Sequence, residues 1–105
     1  MTNTSTWHTS ISDAIKVPIE KGRQSAFIFE DKDMQVRFYS PKQKDSQTPH
    51  HQDEVYVIAK GSGKFVRGND EISFKIGDII FVPKKEHHYF KDFTHDFSTW
   101  VIFYG

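Results

Sequence analysis

Four of the six histidines in this 105-residue chain fall in two short clusters, Pro49-His50-His51-Gln52-Asp53-Glu54 and Glu86-His87-His88. Imidazole and carboxylate are the donors that hold first-row divalent metals, and a set of two histidines with one carboxylate leaves coordination positions open for water or a ligand. If the first cluster enters a strand, side chains alternate, so His50, Gln52 and Glu54 point to one face while His51, Asp53 and Val55 point to the other. A histidine and a carboxylate would then share a face, and a histidine from the second cluster could complete the set. Spacing leaves a plainer reading equally open, in which paired histidines do no more than solvate a strand end. Periodicity also does not choose between His87 and His88.

The elements that must carry these residues read as strands. Ala26-Phe27-Ile28-Phe29 and Met34 to Tyr39 flank the turn-like Glu30-Asp31-Lys32-Asp33 and form a hairpin; in the second run Met34, Val36 and Phe38 alternate with Gln35, Arg37 and Tyr39, the period of a half-buried strand. A polar loop with two prolines, Ser40 to Pro49, leads into Glu54 to Lys60, whose β-branched and aromatic residues on both faces suggest cover on both sides. Lys64 to Arg67 and Glu71 to Phe74 flank the turn Gly68-Asn69-Asp70; Ile79 to Val82, His87 to Lys91 and Phe97 to Tyr104 follow. Seven or eight short strands with turns between them and no convincing helix predict an all-β fold, a small antiparallel β-barrel or sandwich with less than about one-tenth helix. Tyr56 and Ile58 share the face of Glu54 and should line the interior beneath the site, either as plain core or as ligand contacts.

Composition narrows the function classes. The 14 Lys and Arg balance the 14 Asp and Glu, so no long-range field draws the chain to nucleic acid or an anionic membrane. The ten Phe, four Tyr and two Trp supply a core. Without cysteine there is no disulfide, thiolate nucleophile or zinc finger. Gly61-Ser62-Gly63 is not followed by a helix, so a phosphate-cradling loop is not expected, and no serine sits in a nucleophile elbow. No basic start with an apolar stretch is visible, and no apolar run spans a bilayer, so the expected location is cytoplasmic. The division expected is an N-terminal arm over 1–25 and a barrel domain over 26–105. Isolated apolar residues in the arm, among them Trp7, Ile11, Ile15, Val17 and Ile19, suggest docking on the barrel or on a second subunit, hence a homodimer.

At this point the residues resemble the cupins, whose motifs are G-x5-H-x-H-x3,4-E-x6-G and G-x5-P-x-G-x2-H-x3-N. Glu54 and Gly61 match the end of the first, with His50 at its second histidine; Gly77, Pro83 and His88 match the second. The resemblance covers roughly residues 35 to 104 and is strongest in EVYVIAKGSG and GDIIFVPKKEHH. It departs at Thr48, which replaces the other histidine, at Lys85, which replaces the glycine after Pro83, and at Asp92, which replaces the closing asparagine. The resemblance implies a jelly-roll barrel of the small single-domain bacterial kind. It assigns His88 rather than His87 to the metal set, giving His50, Glu54 and His88, with Thr48, Gln52 or water at the missing position. It implies a divalent ion (iron, manganese, nickel, zinc or copper) and a small-molecule ligand or substrate. Two functions are expected: a dioxygenase- or isomerase-like enzyme, or a non-catalytic ligand-binding or sensing module.

Overall fold

The computed structural model describes residues 7–45 and 49–105, and Thr48, expected at the pocket, lies outside the described residues. Eight strands follow one short helix: α1 (Ile11–Lys16), β1 (Ala26–Asp31), β2 (Met34–Tyr39), β3 (Asp53–Lys60), β4 (Gly63–Arg67), β5 (Asp70–Phe74), β6 (Ile79–Val82), β7 (His88–Lys91) and β8 (Ser98–Tyr104). They form two antiparallel sheets, one of five strands in the order β1-β2-β8-β3-β6 and one of three in the order β5-β4-β7. This is the jelly-roll arrangement expected of the sequence.

The short helix was not foreseen, although it keeps the described residues within the expected one-tenth helix. It is six residues long and stands on a local cap, in which Ser10 Oγ accepts from Asp13 N at 3.1 Å. Too short to be stable alone, it holds by burying Ala14 (1% exposed) against the outer face of the five-stranded sheet. That face is apolar across all five strands. Phe81, Val55, Ile102, Val36 and Phe29 pair in one cross-strand row, and Ile79, Val57, Trp100, Phe38 and Ala26 in the next. Ala14 covers the rows near β1 and β2; at β6, Ile79 and Phe81 stay exposed.

The inner face of the same sheet meets the three-stranded sheet over an aromatic core. Phe90 lies at its centre, with ring centroids of Tyr56, Phe65, Phe74 and Phe97 between 4.7 and 5.5 Å away. Two glycines let the chain close around it. A Cβ on Gly61 would come within 2.8 Å of Phe97 Cα, and one on Gly63 within 2.7 Å of Phe93 Cα, so both positions need the bare backbone.

The two departures from the second motif coincide with backbone strain. Lys85 has φ 66 and Asp92 φ 51, the left-handed region where glycine and asparagine sit at least cost. Lys85 is held there because its N–H donates to the His50 carbonyl at 2.7 Å. Lys85→Gly should relieve the strain at some cost in unfolded-chain entropy, leaving the protein more stable by about 0.5–1 kcal/mol. A urea midpoint that falls instead would refute this account.

Candidate metal centre

Each member of the site arrives on a different support. Glu54 is the second residue of β3 and points inward, 1% exposed, while His88 opens β7 and is 2% exposed. His50 comes from the segment just before β3, not from the strand itself, so the alternation expected to aim it does not operate; the Lys85 N–H to His50 carbonyl bond anchors that segment. His50, Glu54 and His88 offer ligand atoms all within 4.8 Å of one another. His88 Nε2 lies 3.1 Å and His50 Nε2 3.7 Å from Glu54 Oε2.

Surrounding groups fix these side chains. Tyr56 OH donates to Glu54 Oε1 at 2.8 Å. His88 Nδ1 stands 2.8 Å from the Glu86 carbonyl, which can only accept, so the proton is on Nδ1. Nε2 of His88 is then left buried and, although close to Glu54, makes no well-directed hydrogen bond. A lone pair and a carboxylate oxygen face each other there, and a proton or a cation between them resolves the conflict. The donor set and the unsatisfied nitrogen thus fit a divalent metal.

The two imidazoles shift oppositely. Burial disfavours the His88 imidazolium, yet the Glu54 carboxylate and the Glu86 carbonyl outweigh it, and the net shift is upward from 6.5. His50 shifts down, by burial first, with Glu54 opposing and His88 adding to it. In metal-free protein the raised His88 contributes stability that is full below 6.5 and lost as pH rises through its folded value. The lowered His50 contributes stability present above 6.5 and lost as pH falls through its own. Chelator-treated protein should therefore be most stable near pH 6.5, and His88→Gln should remove the decline on the alkaline side. Denaturation midpoints that rise steadily from about pH 5 to about pH 8 would contradict this.

Beside the site opens a cavity of about 510 Å³. Gln52 and Tyr56 line it, whereas Ile58 sits in the core cluster below. The amide nitrogen of Gln52 donates to the Asp33 carbonyl at 3.0 Å. His51 and His87 are exposed, the latter set edge-on to Tyr89. Reading β2 as a half-buried strand captured its period but not the destination of its polar face. Gln35, Arg37 and Tyr39 line the cavity, while Val36 and Phe38 lie under α1. Asp45 carries no local sequence signal for its role. It is buried, accepts from Tyr39 OH and from Phe90 N, and its charge reaches both histidines.

Residues 36–99 match the family model of the cupin domain, and the chain belongs to the cupin family. Among solved structures, a cupin-2 domain protein from Shewanella frigidimarina superposes with a TM-score of 0.68 at 18% identity, over 90% of this chain and 91% of that one. A cupin 2 conserved barrel domain protein from Salinispora arenicola gives 0.70 at 13% identity, over 95% of this chain and 90% of that one. At such identities the likeness is one of fold. An uncharacterised protein of Streptomyces coelicolor is 34% identical over 59 residues, and the chain spans 56% of that relative's length. Among the described residues, no helix is long and apolar enough to cross a membrane.

Proposed function

We propose that His50, Glu54 and His88 hold a divalent transition-metal ion and that the adjoining cavity presents a small molecule to it, in an enzyme of dioxygenase or isomerase type. The observation that carries this reading is the buried Nε2 of His88, 3.1 Å from Glu54 Oε2 without a well-directed hydrogen bond, with His50 Nε2 beside the same carboxylate. A metal bound there would act as a Lewis acid or supply redox chemistry, with positions open to a ligand. Tyr56 orients Glu54, and the Glu86 carbonyl fixes the His88 tautomer. Iron, manganese, nickel, zinc and copper all suit these donors. Elemental analysis of untagged protein should find metal in proportion to chain, and oxygen-uptake and isomerisation assays over a substrate panel should find turnover. Protein purified without metal that takes none up in titration would sink the reading.

The alternative is a non-catalytic site, in which the same pocket binds or senses a small ligand. Burial and the Asp45 hydrogen bond push the Tyr39 phenol well above its usual range, in keeping with its place as a buried donor to Asp45. Metal and ligand bound without turnover would assign the site to binding or sensing. For assembly the proposal is a homodimer: Ile79 and Phe81 stay exposed on the sheet's outer face, and Trp7, Ile15 and Ile19 are exposed in the N-terminal segment. A monomer in light scattering at tens of micromolar would count against it. A cytoplasmic setting is proposed on the absence of cysteine alone.

A further inference from the structure

The cavity contains a second charged feature that metal binding does not use. Arg37, on β2, is 2% exposed and lines the cavity with His50 and Tyr56. Its Nε donates to Ser25 Oγ at 2.8 Å, its Nη1 to Gln35 Oε1 at 2.9 Å, and its Nη2 to the Ser25 carbonyl at 2.8 Å and to Glu20 Oε1 at 3.1 Å. Three of these acceptors are neutral. The counter-charge is Glu20, whose side chain is 63% exposed and meets the guanidinium through one oxygen. A buried cation is expensive unless well paired, and a single exposed carboxylate on the segment before β1 is a weak partner for it.

We propose that Arg37 anchors the carboxylate of a small acidic ligand in this cavity, and that Glu20 occupies the anchor until the ligand displaces it. The proposal rests on reading the cavity as the small-ligand site, and it adds the ligand's chemical class. A guanidinium presents a planar fork that matches both oxygens of a carboxylate. Glu20 already places a carboxylate oxygen on that fork, so the preferred group is visible within the chain itself. Arg37 lies in the same cross-strand row as Val101 and Tyr56, and Gln35, Phe103 and Glu54 make the adjacent row. Two strand spacings separate Arg37 from Tyr56, about 10 Å between Cα atoms. A ligand held by its carboxylate at Arg37 would therefore extend over Val101 and Phe103 toward His50, Glu54 and His88. The turn that carries Glu20, closed by the Arg23 N–H to Glu20 carbonyl bond at 3.0 Å, brings Gly22, Arg23 and Gln24 to the cavity rim. Displacing Glu20 would remove its own tie to Arg37, while the two Ser25 bonds keep the end of the segment on β2.

Calorimetry on chelator-treated full-length chain, with acetate, succinate and benzoate each set against its amide, tests this without any metal. At least one acid should bind and its amide should not. Glu20→Gln, which removes the internal competitor, should tighten binding of that acid about tenfold, and Arg37→Lys, which keeps the charge but loses the fork, should weaken it at least as much. The proposal is overturned if none of the three acids binds more tightly than its amide, or if Glu20→Gln leaves acid affinity unchanged. Should Arg37→Lys fail to fold, the exposed Glu20→Gln variant still decides. Metal content of Glu20→Gln should equal that of the parent chain, so a failure of the metal reading appears in elemental analysis and a failure of this one in calorimetry.

Discussion

Replacing His88 by alanine should abolish metal retention while leaving the barrel folded. The imidazole is fixed by the Glu86 carbonyl, and its Nε2 is one of three ligand atoms the site offers. Partners that only orient a ligand are typically worth about 10–100-fold in metal affinity, so losing a ligand itself should exceed about 100-fold. His50→Ala should behave alike. Glu54→Gln removes the anionic ligand and should weaken binding without destroying the shape of the pocket. His51→Ala and His87→Ala alter exposed side chains and should leave metal content near that of the parent. Elemental analysis of the purified variants, with circular dichroism to check folding, separates these cases. If metal fell with His51 or His87 and survived loss of His88, the inward-facing site would be wrong.

The second large effect concerns the core. Phe90→Ala should cost about 3–5 kcal/mol, a large share of the 5–15 kcal/mol that holds an ordinary domain together. Phe90 is 2% exposed and touches rings from both sheets, so neither sheet can relax into the space without leaving the other. Ile76→Ala, at a side chain 61% exposed, should change stability by no more than about 0.5 kcal/mol. Urea denaturation followed by tryptophan fluorescence measures both, and equal midpoints for the two variants would show that the core lies elsewhere.

Strand runs and turn residues were legible because they depend on local rules: alternation in Met34–Tyr39, and the Gly68-Asn69 turn, where Gly68 takes φ 59. His50, Glu54 and His88 were legible through their clusters and motif positions. What was not legible depended on tertiary surroundings. Arg37 and Tyr39 alternate with apolar residues as they would beside solvent, and nothing local says that their polar face looks into a cavity. Asp45 lies in a polar loop whose composition hides one buried carboxylate among exposed neighbours. The helix escaped because six residues carry too little periodicity, and only Ser10 and Asp13 hinted at a cap. His50 lies before β3, so strand alternation does not aim it at the site.

The position of β8 has a consequence for how the chain can be made. Ser98–Tyr104 comes after every other strand in sequence, yet it lies in the middle of the five-stranded sheet, bonded to β2 on one side and β3 on the other. Until those residues leave the ribosome, the β1–β2 hairpin and the β3–β6 pair have no shared neighbour and cannot join. A nascent chain stalled before Ser98 would hold two separate fragments with open, apolar edges, a species for chaperones and proteases rather than a smaller barrel. The five-stranded sheet therefore cannot close until Ser98–Tyr104 is available to join its two halves.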